Sequence, residues 1–333
     1  MSTTLDPKGT PPRGQTELFG GTAADAQIVR PAVPAPQLLQ VAQRVPKGLH
    51  LGTSSLSFPG WAGIVYAEQY KVAVLARHGL RAYAQHPLLN ALNIDSTFYR
   101  PPNGETLSQQ AADVPDNFRF VVKAYTGLTT APDTPRAQQR GIEPVFLDPL
   151  YAEQTVINPL VKGLGSKLGA VLFQFSPLGS RYTHDPETFV ARLGEFLTAL
   201  PRGPVYAVEL RDPEILGAHY EDALAAAGAV HCSTVHSRMP PVDRQVLSAF
   251  SDGQSGPMII RWMLQPGDDY ESAGARFAPF NRITEPDKLN RGRIVKLVKR
   301  GLSSGRDVYV MAANNAEGSA PLTLFELAMA VVT

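Results

Sequence analysis

Short apolar runs alternate with helical stretches from residue 49 to the end of the chain. Eight runs are brief and rich in β-branched and apolar residues, as buried strands are. They span residues 49–53, 91–96, 118–123, 169–175, 204–210, 229–235, 257–263 and 307–313. Between them, apolar residues recur at spacings of three and four, most clearly at 71–86, 186–200, 214–227 and 286–301. This alternation is typical of βαβ units and predicts an α/β fold with a parallel sheet.

Eight such units predict a single (β/α)8 barrel of the TIM type over residues 48–333. The alternative is an open doubly wound sheet, which normally has a glycine-rich phosphate turn after its first strand. The segment Gly52-Thr53-Ser54-Ser55 does not match that fingerprint. Proline follows aspartate at 185–186 and at 212–213, so we predict that Asp185 and Asp212 cap the helices after them.

Residues 1–47 have a different composition, rich in Pro, Gly, Thr, Ala and Gln, which predicts a disordered tail. Within it, residues 15–19 resemble the pentapeptide by which bacterial repair and replication proteins dock on the DNA sliding clamp. In that mode Leu18 and Phe19 would fill an apolar pocket while Gln15 forms a hydrogen bond beside it. The alternatives are a linker that contains an accidental apolar pair, or a segment that packs back on the barrel.

Composition and charge narrow the class of protein. The chain has 333 residues, 44% hydrophobic and 18% charged, which is ordinary for a globular domain. Its formal net charge is +1, so any site for a polyanion has to be a local patch. The single cysteine, Cys232, excludes an internal disulfide and fits a reducing compartment. With no signal peptide pattern and no membrane-spanning apolar run, we expect a cytoplasmic protein.

Several of the predicted strands carry recognisable motifs. The residues concerned are Gly52-Thr53-Ser54, Phe58-Pro59-Gly60-Trp61, Asn93 to Arg100, Phe118 to Lys123, Leu168 to Pro177, Ala207 to Arg211 and Tyr309 to Asn315. In this order they resemble the motifs of domain-of-unknown-function family 72, also called the YecE-like family. The resemblance covers most of the folded part of the chain. It implies a TIM barrel and brings no established activity.

The chain departs from the family pattern at several places. Leu56-Ser57 lengthens the first loop, and Asp95 stands where glutamate is usual. Asp212-Pro213-Glu214 lacks the expected histidine and tryptophan, and Arg261-Trp262-Met263-Leu264 replaces an Arg-x-His-Gly ending. Any role that the family gives to those histidine and tryptophan positions is therefore in doubt for this chain.

Active sites of such barrels lie at the carboxyl ends of the strands, where this chain has many polar residues. The candidates for catalysis are Glu209, Asp95 and Lys123. The candidates for ligand binding are Thr53, Ser54, Tyr99, Gln174, Arg211, His236, Arg261, Asn314 and Asn315. Strand alternation places Glu209 and Arg211 on the face that carries Val205 and Ala207.

Three cations among two acids favour an anionic ligand. Arg211 and Arg261 would clamp a phosphate or carboxylate with help from Lys123, and Glu209 or Asp95 would be the general base. The loop 314–319 leads into a helix near residue 321, which predicts a phosphate seat at the helix amino terminus. The structural alternative is an ion-pair network that seals the top of the barrel.

Three other kinds of chemistry are less favoured. An acid pair of Asp95 and Glu209 suits an inverting glycosidase, but carbohydrate sites usually add aromatic platforms. A Schiff base at Lys123 requires an uncharged amine, whereas a neighbouring Glu209 favours the charged form. Only His236 among the histidines is well placed for a metal, which excludes a zinc cluster and leaves weak Mg²⁺ binding open. No cofactor is predicted.

The leading hypothesis is a protein that binds or processes a phosphate-bearing ligand, with nucleic acid in a repair or replication setting as one form of it. A non-catalytic adaptor delivered to the sliding clamp by the tail is the first alternative. An enzyme acting on a sugar phosphate or carboxylate is the second. Basic residues at 288–306 form a solvated helix face or a patch for nucleic acid. The sequence leaves open whether the protein is an enzyme.

Overall fold

Eight parallel strands close into one barrel in a computed structural model, which describes residues 28–138, 142–245 and 256–333. The strands β1 to β8 are Leu49–Thr53, Leu89–Ile94, Arg119–Lys123, Leu168–Gln174, Tyr206–Glu209, Val230–Val235, Met258–Trp262 and Val308–Ala312. Each strand pairs with the next along the chain, and β8 pairs with β1. The predicted (β/α)8 barrel is confirmed, and every predicted strand end lies within two residues of the observed one.

The helices of the described ranges surround this barrel. Helices α1 to α14 are Pro36–Arg44, Val72–His78, Leu80–Tyr83, Ser96–Tyr99, Gly104–Ala112, Thr126–Thr129, Pro149–Tyr151, Asn158–Leu164, Ser180–His184, Pro186–Ala199, Ala218–Ala227, Tyr270–Phe277, Lys288–Ser303 and Ala320–Val332. A π-helical segment, Ala152–Ile157, joins α7 to α8. As predicted, Asp185 caps α10, because its carboxylate accepts a hydrogen bond from the amide of Thr188. In the ranges described, no helix is both long and apolar enough to cross a bilayer.

The strands alternate between two packing environments. Every second side chain points into the barrel, where small and apolar residues fill the interior: Ala91, Val121, Ala170, Leu172, Ala207, Val230, Cys232, Ile259, Tyr309 and Met311. The other face packs on the helices, as where Phe173 of β4 meets Phe196 of α10 with 5.2 Å between ring centroids. Burying one such ring stabilises the fold by about 1.5–3 kcal/mol. The barrel is therefore a packed core, and polar chemistry is confined to its ends.

Ordered structure begins earlier than the sequence predicted. Residues 1–47 were expected to be disordered, yet α1 occupies Pro36–Arg44 and a bridge joins Pro31 to Tyr66. Helix α1 forms because a proline starts it and because one of its faces is apolar. Val41 is buried in the core, and Leu38 packs against the core. The peptide at 15–19 lies outside the described residues.

One predicted cap was wrong. Asp212 was expected to cap a helix at residue 214, but a short 3₁₀ turn, Pro213–Ile215, intervenes and α11 begins only at Ala218. The buried Asp212 carboxylate instead accepts a hydrogen bond from the amide of Leu178, at 2.8 Å, in the loop after β4. This contact ties two neighbouring loops together at the carboxyl end of the barrel.

Candidate functional site

Four polar side chains extend the inward-facing rows of the barrel at its carboxyl end. Lys123, Gln174 and Glu209 are the last residues of β3, β4 and β5, and Arg261 is the next-to-last residue of β7. Each lies two positions after a residue of the interior core, so all four point inward. The predicted face for Glu209 is confirmed, because Val205 and Ala207 pack in the interior core.

Glu209 lies between two guanidinium groups. Its Oε2 atom accepts a hydrogen bond from Arg261 Nη1 at 2.6 Å, and its Oε1 atom lies 2.5 Å from Arg211 Nη2. Glu209 and Arg261 have no exposed side-chain surface, and Arg211 has very little. Burial disfavours a charge on Glu209, but the two arginines outweigh it and lower its pKa to about 2. The carboxylate is therefore ionised throughout the physiological range.

Arg261 is only partly satisfied by this arrangement. Its Nη1 atom also donates to Gln174 Oε1, at 3.3 Å. Its Nε and Nη2 atoms are buried and have no hydrogen-bond partner among the described residues. Leaving a buried donor without a partner costs about 1–3 kcal/mol, and more when the group is charged. The Nε and Nη2 atoms of this buried guanidinium are accordingly able to donate to a further acceptor, such as water or an anionic group.

A second ion pair adjoins the first. Lys123 Nζ lies 3.4 Å from Asp95 Oδ1 and 4.7 Å from the centre of the Phe98 ring. The same Asp95 oxygen accepts a hydrogen bond from the Asn93 side-chain amide. Burial lowers the pKa of Lys123; Asp95 opposes this effect, and Arg261 adds to it. The amine is thus held in a desolvated, cation-rich position.

A histidine and a tyrosine form the opposite rim of the mouth. His236 follows β6, and burial together with the charge on Arg211 lowers its pKa to about 4. Tyr270, the first residue of α12, lies with its ring centroid 5.9 Å from that of His236 and is 47% exposed. Sequence reasoning missed Tyr270, because it follows a loop several residues beyond the end of β7. No sequence pattern would have placed it at the mouth.

Further arginines lie at the rim and were also missed. Arg238 Nη2 is 3.8 Å from Asp212 Oδ1, and Arg238 Nε donates to the backbone oxygen of Arg211. Arg136 lies over the outer part of the Phe98 ring, 5.1 Å from its centre. Both arginines come from loops, whose position cannot be inferred from strand alternation.

Some predicted site residues face elsewhere. Thr53 is buried against the helix layer, where its hydroxyl lies 2.9 Å from the Tyr83 hydroxyl. Ser54 donates to the backbone oxygen of Ala312 at 3.3 Å. Tyr99 is 58% exposed and packs edge-on against Phe98. In the described contacts, none of the three touches the ion pairs around Glu209.

The loop after β8 is bonded to itself rather than open. Asn314 Oδ1 accepts hydrogen bonds from the Trp61 ring nitrogen at 3.2 Å and from the Ala320 amide at 2.8 Å. The Gly318 amide donates to the backbone oxygen of Asn314. Two amides of the predicted phosphate seat are therefore already engaged. Asn315 donates to the backbone oxygen of Tyr270 and so fixes the rim.

Glu317 turns away from the mouth. It is fully buried and bonds to Arg291 Nη2 through both carboxylate oxygens, at 2.7 and 2.9 Å. It also accepts a hydrogen bond from the amide of Asp287. The negative charge of Glu317 is thus balanced by Arg291. This leaves the arginine pair as the stronger site for an anion.

Metal-ligating side chains do not gather in this part of the molecule. Among the described residues, no three of the His, Cys, Asp and Glu side chains lie together in a group that could hold a metal ion. The acids of the mouth are distributed instead among arginine and lysine partners.

A sequence model described as "Protein of unknown function DUF72" matches residues 50–333. The chain belongs to the DUF72 family. The predicted family is therefore confirmed. None of the curated proteins matches the chain.

Solved DUF72 structures have the same fold. The DUF72 family protein from Enterococcus faecalis V583 is similar with a TM-score of 0.54 and 17% identity, over 85% of this chain and 95% of its own. The DUF72 family protein from Thermotoga maritima MSB8 is similar with a TM-score of 0.52 and 17% identity, over 84% of this chain and 97% of its own. At this level of identity the likeness supports the barrel and carries no information on chemistry.

Proposed function

We propose that this DUF72 barrel binds a small anionic ligand, through a phosphate or carboxylate group, at the Arg211–Arg261 pair in its mouth. The observation that carries the proposal is the buried guanidinium of Arg261, whose Nε and Nη2 atoms donate to no partner among the described residues. Arginine presents such N–H groups in a fork that matches a phosphate or carboxylate.

The charges of the mouth support this choice of ligand. Arg211, Arg261 and Lys123 face Glu209 and Asp95, so the cations exceed the acids by one. Uncompensated charge in a buried site is unfavourable, and an anion would balance it. A network that merely sealed the barrel would be expected to pair its cations fully.

The depth of the site favours a small molecule over nucleic acid. Arg261 has no exposed side-chain surface and Lys123 is 12% exposed, so a nucleic-acid backbone cannot lie against them from outside the barrel. On α13, Arg291 pairs with Glu317 and Glu326, and Arg293 pairs with Asp243. These pairs reduce the positive charge available to a nucleic-acid backbone.

Within this proposal the two acids have different roles. Glu209, ionised and held by two arginines, acts as the counter-charge that fixes their guanidinium planes. Asp95 is 27% exposed and faces Lys123, so it is the carboxylate that can exchange a proton with a ligand. The tail has two predicted roles: docking of residues 15–19 on a sliding clamp, and delivery of an adaptor. Both stay predictions, because residues 15–19 lie outside the described residues.

Chemical denaturation with and without small anions tests the proposal. Phosphate, sulfate and short carboxylates should stabilise the protein, by about 2.7 kcal/mol at a hundred times the Kd. Arg211→Lys and Arg261→Lys keep the charge but lose the fork, and both should weaken this stabilisation at least tenfold in apparent Kd. The control is Arg276→Lys, whose arginine forms exposed pairs with Asp268 and Glu285.

Two outcomes would overturn the proposal. One is that no small anion stabilises the wild-type protein at low ionic strength. The other is that single-stranded or duplex oligonucleotides bind in a strongly salt-dependent manner while small anions do not compete, which would move the site to an outer surface.

A further inference from the structure

The amine of Lys123 is the reactive group in the mouth that anion binding alone does not use. We propose that Lys123 forms an imine with a small carbonyl compound whose anionic group is held by Arg261. This inference rests on the anion site proposed above and extends it by naming the class of substrate.

Position is the first argument. Lys123 ends β3 and points inward, like Arg261 on β7, so both side chains enter the same mouth. Arg261 is near enough to Lys123 for its charge to act on the amine. A short molecule with an anionic group at one end and a carbonyl carbon beside it could meet both residues.

The surroundings of the amine are the second argument. Nucleophilic lysines are activated by desolvation and by neighbouring cations. Lys123 is 12% exposed, and one side of its amine faces the Phe98 ring at 4.7 Å. Glu209, the acid that would keep the lysine charged, is instead shared between Arg211 and Arg261 at 2.5 and 2.6 Å. Glu209 still favours the charged form of Lys123, but the charges on Arg261 and Arg211 oppose this effect.

Asp95 completes the set of groups that the reaction needs. It is the acid within ion-pair distance of the amine among described residues, at 3.4 Å, and Asn93 holds the same carboxylate oxygen. Asp95 can accept the proton from the ammonium group as the neutral amine forms, and can return it to the departing oxygen. Asn93 fixes the carboxylate in that position.

The reaction balances without any further reactant. The lone pair of the neutral Lys123 amine adds to the carbonyl carbon and forms a carbinolamine. The former carbonyl oxygen then leaves as water, with the two hydrogens that the nitrogen gives up, and a carbon–nitrogen double bond remains. The arginine fork holds the anionic group throughout, so the carbonyl carbon stays beside the amine.

Reductive trapping followed by peptide mapping tests this inference on the full-length protein. The protein is incubated with sodium cyanoborohydride and one of three probes: pyruvate, dihydroxyacetone phosphate or acetone. We expect near-stoichiometric alkylation of Lys123 by at least one of the two anionic probes, at least tenfold more than by neutral acetone. Pyruvate and dihydroxyacetone phosphate distinguish a carboxylate from a phosphate as the anchor.

The peptide map has two controls, an unreactive lysine within the same protein and a variant at position 123. Lys167 is similarly buried, at 14% exposure, but donates to the backbone oxygens of Ala111 and Val114, so it should stay unlabelled. Lys123→Arg should abolish labelling at this position while its far-ultraviolet circular dichroism stays that of the wild type. The wild-type map decides the question even if this variant does not fold.

Labelling of Lys123 no faster than that of exposed lysines would overturn the inference, as would equal labelling by acetone and the anionic probes. Stabilisation by small anions is measured on the same samples. If anions stabilise the protein but Lys123 is not trapped, the imine is disproved and the anion site stands. If neither occurs, both proposals fall.

Discussion

At the scale of single residues, Glu209 explains why a cluster of charges can exist inside a packed barrel. A buried carboxylate is costly on its own, and two buried guanidinium groups are equally so. Together they form a bridge in which Arg211 and Arg261 hold opposite oxygens of one carboxylate. Such an arrangement is fixed in geometry and leaves a net positive charge. Glu209 is therefore the residue on which the orientation of both arginines depends.

Removal of the Glu209 charge should be strongly destabilising. In Glu209→Gln both arginines would remain buried without a counter-charge, so we expect a loss of about 3–5 kcal/mol in the free energy of unfolding. Urea denaturation at pH 7 measures it. Glu68→Gln is the matched control, because Glu68 pairs with Arg30 at the exposed surface and should change stability by less than about 1 kcal/mol. Similar values for the two variants would contradict this account of the mouth.

At the scale of elements, strand alternation accounts for most of what the sequence could predict. It placed Glu209 on the face that carries Val205 and Ala207, which lines the barrel, and it placed Lys123 and Gln174 at the carboxyl ends of their strands. It could not place Tyr270, which begins α12 after a loop, or Arg136, which lies in a loop, because the paths of both loops depend on tertiary contacts.

The missed helix α1 and the wrong cap at Asp212 have related physical causes. A high proline content suggested disorder. However, the apolar face of a nine-residue helix was enough to dock α1 on α14. The Asp212-Pro213 pair suggested a helix start, but the Asp212 carboxylate accepts a hydrogen bond from the Leu178 amide instead. In both places a contact distant in sequence decided the local structure, and no local pattern reports such a contact.

If α1 is part of the fold, its buried face must contribute to stability. Val41 is 7% exposed in the core, so Val41→Ala should lower the free energy of unfolding by about 1–2 kcal/mol. Val33→Ala removes the same atoms from a side chain that is 92% exposed, and should change stability by less than about 0.5 kcal/mol. Equal, negligible effects would show that residues 36–44 do not pack on the barrel in solution.

Arg291 of α13 pairs with two glutamates, and the buried pair should contribute more to stability than the partly exposed one. Arg291 reaches both the fully buried Glu317 and the partly exposed Glu326. We expect Glu317→Gln to cost about 3 kcal/mol or more, because a buried arginine contact loses its counter-charge. Glu326→Gln should cost less than about 1 kcal/mol. Thermal unfolding of both variants gives the comparison, and the reverse order would be inconsistent with the structure.

At the scale of the whole molecule, a nearly neutral protein buries a cluster of three cations and two acids at one end of its barrel. The formal net charge is +1, and Arg291 and Arg293 of α13 have acidic partners. The barrel supports this concentration because eight strand ends meet at one opening. The anion site that we propose would therefore be a local property of the mouth.

Buried histidine makes the stability of the whole fold depend on pH. Burial lowers the pKa of His231 to about 4, while its Nδ1 lies 2.9 Å from the Tyr220 hydroxyl. In the unfolded chain His231 binds a proton near pH 6.5, whereas in the folded chain it binds one only near pH 4. Stability is therefore lost as pH falls through this window, by up to about 3 kcal/mol from this residue.

Unfolding free energies between pH 7 and pH 4 test this expectation. His231→Asn removes one titrating group and should reduce the slope in that window, whatever its effect on stability at pH 7, while His236 and His86, whose pKa values burial also lowers to about 4, keep their contributions. His219→Asn, a change at a largely exposed histidine, should leave the slope as it is in the wild type. An unchanged slope in His231→Asn would assign the pH dependence to other groups.

The central claim, an anion site at the Arg211–Arg261 pair, is tested most directly by diffraction from crystals soaked in selenate. Anomalous scattering locates the selenium without reference to any assumed pose. The account predicts a peak in the mouth of the barrel, with selenate oxygens about 2.7–3.2 Å from Arg261 Nε and Nη2. Ordered selenate found only on outer arginines such as Arg181 or Arg276, with none at Arg261, would contradict it.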